Sequence, residues 1–175
     1  MIAALLLVIV FLPMFVEARR AALNERRQLD RGGVEPAGDV YAVMRIAYPA
    51  VFLAMIAEGY WRGSTPFVSS FVPFVSVIAG FVIFVAAKAA KWWAIVSLGD
   101  AWTFRVIVLP AAERVVSGPY RWLQHPNYVA VVGELAAVAL MSGARIAGPV
   151  GTLAFGALMF RRIVIEERAL AASGR

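Results

Sequence analysis

Five stretches of this chain are apolar for about the length of a helix that crosses a bilayer. A backbone in hydrocarbon must satisfy its hydrogen bonds internally, which leaves helices or a closed barrel. The runs are continuous rather than alternating, so they read as helices: Ile2–Val16, Val40–Tyr60, Phe67–Ala87, Pro126–Met141 and Ile146–Ile165. The turn "WRGSTP" joins the second and third, and "SGAR" separates the last two by so little that they should form an antiparallel hairpin. Pro13, Pro49 and Pro73 fall inside spans and are expected to kink them. The expected fold is all-α: one integral-membrane domain over residues 1–175, with five transmembrane helices and a C-terminal helical hairpin.

Composition points the same way. The chain is 62% hydrophobic and 16% charged, against roughly 45–50% and 25% in soluble domains. It has no cysteine and one histidine, so neither a disulfide nor a metal site is expected. No basic residue precedes the first apolar run, which is therefore expected to stay as a span rather than be cleaved as a signal peptide.

The basic residues orient the bundle. Glu17–Asp39 carries Arg19, Arg20, Arg26, Arg27 and Arg31; Lys88–Asn127 carries Lys88, Lys91, Arg105, Arg114 and Arg121. With Arg45 and the tail arginines 161, 162, 168 and 175, 15 of the 17 basic residues lie on one side, leaving Arg62 and Arg145 opposite. The positive-inside rule puts the N-terminus outside and the long segments and the C-terminus in the cytoplasm. Basic residues at helix ends serve lipid headgroups, and no nucleic-acid partner is expected. The outer connections are too short to build a site, so chemistry is expected at the cytoplasmic face.

The single histidine stands in "GPYRWLQHPNY". Proline suits the first turn of a helix and pushes its predecessor out of the α region, so His125 is expected to cap span four beside free N–H groups. A helix N-terminus of this kind favours anions. An interfacial loop in an aromatic belt is the plainer alternative. In "RRIVIEERAL", Arg162 and Glu166 are i,i+4 and can pair, as on any solvated helix end. If spans four and five are antiparallel, however, His125 and Glu166/Glu167 lie at one level. The histidine, Tyr120, Tyr128, an arginine and two carboxylates then converge. Glu134, two turns into span four, is either functional or a buried protonated glutamate bonded to a neighbouring helix. Glu58 and Arg62 read as a structural ion pair.

The pattern "VVSGPYRWLQHPNY…FRRIVIEERAL" resembles the isoprenylcysteine carboxyl methyltransferase family, with its GPY…RHPxYxG and R-I-x-x-E-E-x-x-L elements. The resemblance covers roughly residues 85–170 and is greatest to bacterial members associated with type III polyketide synthases that O-methylate alkylpyrones. It implies S-adenosylmethionine as cofactor, in contact with His125, Pro126, Tyr128 and Glu166, with Gly118 and Tyr120 shaping the pocket. It places Arg162 and Glu167 toward the methyl acceptor, a lipophilic or prenylated molecule. Three features depart from the family pattern: Gln124 stands for the usual Arg or Lys, Ala130 for a Gly, and the tail beyond Glu167 is short. An ionised carboxylate acceptor needs no base, whereas an enol or phenol makes Glu167 the candidate base. Trp92, Trp93 and Trp102 are candidates to line the acceptor's route from the lipid. Two other readings compete: a membrane steroid-reductase-like enzyme using a nicotinamide cofactor, which shares the His-Pro-Asn-Tyr element, and a non-catalytic membrane scaffold.

Overall fold

The computed structural model describes residues 2–63, 71–109 and 115–172, the side chains of 2, 71–73 and 172 excepted. Among these residues the structure has five α-helices and no strand: α1 (Ile2–Asp30), α2 (Tyr41–Gly63), α3 (Phe71–Leu98), α4 (Pro126–Ser142) and α5 (Ala147–Ala172). Three helical stretches are long and apolar enough to cross a membrane: Tyr41–Gly63, Phe74–Ala101 and Ala147–Ala171. The 17-residue α4 is shorter, about 25 Å at the usual helical rise against a hydrocarbon core of about 30 Å. Large apolar side chains such as Leu12, Phe15, Phe81, Leu153 and Phe160 face outward, a surface suited to lipid.

Two boundaries differ from those expected. The third helix continues past Ala87 to Leu98, so Lys88 and Lys91 belong to the bundle and not to a polar connection. The first continues past Val16 to Asp30, giving α1 an apolar half and a polar half. α1 and α2 are helical through Pro13 and Pro49. The expectations for Pro73 and for the start of the third span at Phe67 lie outside the described residues and side chains, as do those for Arg114 and Arg175.

Hydrogen bonds hold the polar half of α1 in place. It binds the segment that follows α3: Asn24 Nδ2 donates to the carbonyls of Gly99 at 3.0 Å and Trp102 at 2.8 Å. Gln28 Nε2 donates to Asp100 O at 2.8 Å. Glu25 Oε1 accepts from the Phe104 and Arg105 amides at 3.2 and 3.1 Å. Val34 and Val108 exchange both backbone hydrogen bonds at 2.9 Å. Asp39 joins this strap to α2, one carboxylate oxygen accepting from Tyr41 N at 3.1 Å and the other from Val106 N at 3.0 Å. Buried backbone groups outside helices need such partners. Residues 99–109 are thereby laid across one end of the bundle.

The α4–α5 hairpin forms as expected. Gly143, at φ 70°, ends α4 in a left-handed cap. Glu58 pairs with Arg62 at 2.7 Å and also accepts from the amides of Arg145, Ile146 and Ala147. A carboxylate at those free N–H groups complements the N-terminus of α5.

A buried ionic cluster locks the bundle. Lys88 Nζ lies 2.8 Å from Glu17 and 3.0 Å from Glu134; Lys91 Nζ lies 2.7 Å from Glu17 and 3.3 Å from Glu134. Each ammonium thus bridges both carboxylates, and Tyr48 Oη donates to Glu134 at 2.6 Å. Two positive and two negative charges are held in balance across α1, α3 and α4, with α2 attached through the tyrosine. Glu134 is therefore bonded to neighbouring helices, but as the partner of two lysines and a phenol rather than as the protonated glutamate expected, because Lys88 and Lys91 of α3 face it.

Candidate active site

Pro126 is the first residue of α4 and His125 its N-cap, at φ −128° and ψ 60°. The ring makes no side-chain capping bond; the cap is supplied by the His125 carbonyl, which accepts from Tyr128 N at 3.1 Å. The imidazole turns instead to α5, with Nε2 3.1 Å from Glu167 Oε1. An ionised carboxylate only accepts, so Nε2 carries a proton and Nδ1 of a neutral ring keeps its lone pair. Tyr128, one turn into α4, stacks at 5.4 Å from His125.

Tyr128 also stands between two charges. Its hydroxyl accepts from Arg162 Nε at 2.8 Å and donates to Glu166 Oε2 at 3.2 Å. The direct i,i+4 pairing of Arg162 with Glu166 is thus replaced by a bridge through a phenol on the facing helix. Arg162 is buried and donates as well to the Phe104 carbonyl of the strap. One guanidinium therefore ties α5, α4 and the strap together, and charged hydrogen bonds of this kind are among the stronger ones in a protein.

These groups border a cavity of about 550 Å³, within the usual range for small-molecule and cofactor sites. Its polar end is lined by Tyr120, Gln124, His125, Asn127, Tyr128, Arg162 and Glu166, with Arg45 and Tyr41 from the start of α2. Its apolar wall includes Met14, Met44, Pro49, Val131, Phe155 and Met159. Tyr48 and Lys91 of the ionic cluster also line it. The cavity-facing residues of α2 (Tyr41, Met44, Arg45, Tyr48, Pro49) recur every three to four positions, as one helical face requires.

The structure thus brings His125, Tyr128, Arg162, Glu166 and Glu167 together, and Tyr120 borders the same cavity. Burial, and then the nearby Glu166 carboxylate, push the Tyr120 phenol well above its ordinary range, so it is a neutral donor. Glu167 is not among the cavity-lining residues; it stands behind His125 with 39% of its side chain exposed. Pro126 is buried at the start of α4. Gly118, at φ 58°, sits against α3: a Cβ there would lie 2.0 Å from Ser97 Oγ. Only glycine fits that approach, which positions Tyr120 two residues on. Trp102 lines the cavity and is buried, whereas Trp93 is half exposed beside Trp122 at 5.9 Å.

Sequence reasoning missed Arg45, Asn127, Tyr48 and Lys91 as cavity residues. Asn127 Oδ1 is buried with no hydrogen-bond partner among the described residues, and such an oxygen is free to accept from a donor that enters the cavity. The three-residue spacing of Lys88 and Lys91 inside "FVAAKAAKWWAIV" was the available signal for an inward-facing pair. S-Adenosylmethionine has an ammonium, a carboxylate, a sulfonium and ribose hydroxyls. The unpartnered amide oxygen, the Glu166 carboxylate, two phenols and the Arg45 guanidinium match that set of groups.

Residues 78–172 match the profile of the isoprenylcysteine carboxyl methyltransferase family. The chain is 28% identical to the uncharacterized protein YpbQ of Bacillus subtilis over 166 residues, covering 95% of each chain. It is 24% identical to an uncharacterized protein of Haemophilus influenzae over 148 residues, 84% of this chain and 82% of the other. No solved structure matches it. The matched region runs from within α3 to the end of α5 and contains the whole hairpin with His125, Tyr128, Arg162 and Glu166; the chain belongs to the isoprenylcysteine carboxyl methyltransferase family of integral-membrane methyltransferases.

Proposed function

We propose that the protein methylates an oxygen of a lipophilic acceptor, using S-adenosylmethionine, at the cytoplasmic face of a bacterial inner membrane. Five spans, with the N-terminus outside, put the His125 end of the bundle in the cytoplasm. The acceptor is a prenylcysteine-like carboxylate or an alkylpyrone- or alkylresorcinol-like molecule, the latter made by a type III polyketide synthase. The strongest support is a single cavity lined both by the polar groups His125, Tyr128 and Glu166 and by the apolar Met44, Phe155 and Met159. A polar cofactor and an apolar tail then meet in one space.

The cofactor, when bound, supplies a sulfonium-borne methyl group for in-line transfer. His125, Tyr128, Asn127 and Glu166 hold it, and Gly118 and Tyr120 shape its pocket through their contact with α3. Arg162 keeps Tyr128 and the strap in register, and methyl transfer would need the acceptor positioned close to the cofactor with water excluded. The apolar wall takes the acceptor's chain. A carboxylate acceptor arrives ionised. For an enol or phenol, His125 Nδ1 takes the proton while Nε2–H is passed to Glu167, so the carboxylate acts as base through the ring.

The test is thermal stabilisation of the detergent-solubilised protein. S-Adenosylhomocysteine, the demethylated product, should raise the melting temperature with concentration, because a ligand of the native state stabilises by mass action. NADPH should not. Stabilisation by NADPH alone would favour the reductase reading, and stabilisation by neither would favour a scaffold.

A further inference from the structure

Four cationic side chains line the cavity: Arg45, Lys91, Arg105 and Arg162. Three are committed. Lys91 bridges Glu17 and Glu134. Arg105 bonds Glu35 at 2.9 Å and lies 3.8 Å from Glu25. Arg162 is spent on Tyr128 and the Phe104 carbonyl. Arg45 has no hydrogen-bond or ion-pair partner among the described residues and sits on the cavity face of α2, between Tyr41 and Pro49. Gln124, which precedes His125 and is uncharged, borders the same cavity.

We infer that Arg45 receives the carboxylate of the cofactor, supplying from α2 the one cavity-lining cation without a partner among the described residues. This rests on the cofactor reading above. Arg45 is exposed, so its guanidinium is free to offer two parallel N–H groups to the two oxygens of a carboxylate entering the cavity. Of the other polar groups there, Glu166 and the Asn127 amide oxygen are acceptors suited to the cofactor's ammonium, and Tyr120 and Gln124 offer a carboxylate only neutral donors.

Calorimetric titration of the purified protein with S-adenosylhomocysteine and with its decarboxylated analogue, which keeps the amine, tests this. Wild type should bind the intact ligand more tightly. Arg45→Gln should weaken it by about tenfold to a hundredfold, the usual effect of losing a charged hydrogen-bonded pair, and leave the decarboxylated analogue unchanged. That unchanged arm also shows that the variant is folded. If Arg45→Gln binds S-adenosylhomocysteine as tightly as wild type, the inference is overturned, and Arg45 serves the acceptor's head group or a lipid phosphate. If wild type itself binds neither ligand, the cofactor reading fails, and the inference falls with it.

Discussion

Lys91→Met is the sharpest probe of the bundle. The side chains of Glu17, Lys88, Lys91 and Glu134 are between 1% and 13% exposed, and each lysine touches both glutamates. Removing one ammonium leaves two carboxylates sharing a single lysine. Stripping one partner from a buried pair costs about 3–5 kcal/mol. For a chain of this size, each kcal/mol moves the melting temperature by about 2–4 °C. The variant should therefore melt on the order of 6–20 °C lower in detergent without ligand, followed by tryptophan fluorescence. The double variant Glu134→Gln/Lys91→Met restores neutrality, leaving Glu17 with Lys88, and should be less destabilised than the sum of its single variants. A Lys91→Met protein that melts with wild type, or a double variant whose losses simply add, would refute a coupled buried cluster.

Three further outcomes follow from the site. Tyr128→Phe removes the hydroxyl that joins Arg162 to Glu166 and takes one acceptor from the buried guanidinium, so stability should fall by about 1–3 kcal/mol, read by thermal melting; an unchanged melting temperature would remove the bridge from the account. Gly118→Ala should lose stability by more than the roughly 1–2 kcal/mol of a left-handed residue, because its Cβ would meet Ser97 Oγ at 2.0 Å; wild-type stability would mean that the turn sits off α3. Glu167→Gln should slow methyl transfer about 100-fold, as a misplaced reacting group does, while S-adenosylhomocysteine still raises the melting temperature; an unaltered rate would show that His125 needs no orienting carboxylate.

Much of this architecture was legible in the residues. The expected second span, Val40–Tyr60, lies within three residues of α2, and the short "SGAR" connection does return α5 antiparallel to α4. Pro126 sits at the first turn of α4 for the reason that its missing N–H suggested. What escaped depends on partners remote in sequence. Hydropathy treats Lys88 as the end of a span because it cannot see Glu17 and Glu134 waiting on other helices. Likewise α1 continues to Asp30 because Asn24, Glu25 and Gln28 are bonded to residues more than seventy positions away. The i,i+4 rule pairs Arg162 with Glu166, but only tertiary packing inserts Tyr128 between them. Arg45 looked like one more basic residue near a helix end, and its meaning depends on which other cations already have partners.

The central claim is tested most directly by methyl transfer itself. Membranes containing the protein are incubated with isotopically labelled S-adenosylmethionine, and the lipid extract is analysed by mass spectrometry against membranes containing His125→Ala. The account predicts a labelled, organic-soluble product one CH₂ heavier than its acceptor with wild type, and its loss in the variant despite normal insertion. Equal labelling in the two membranes would contradict the assignment of this site, and no labelled lipid with either would contradict a lipophilic acceptor.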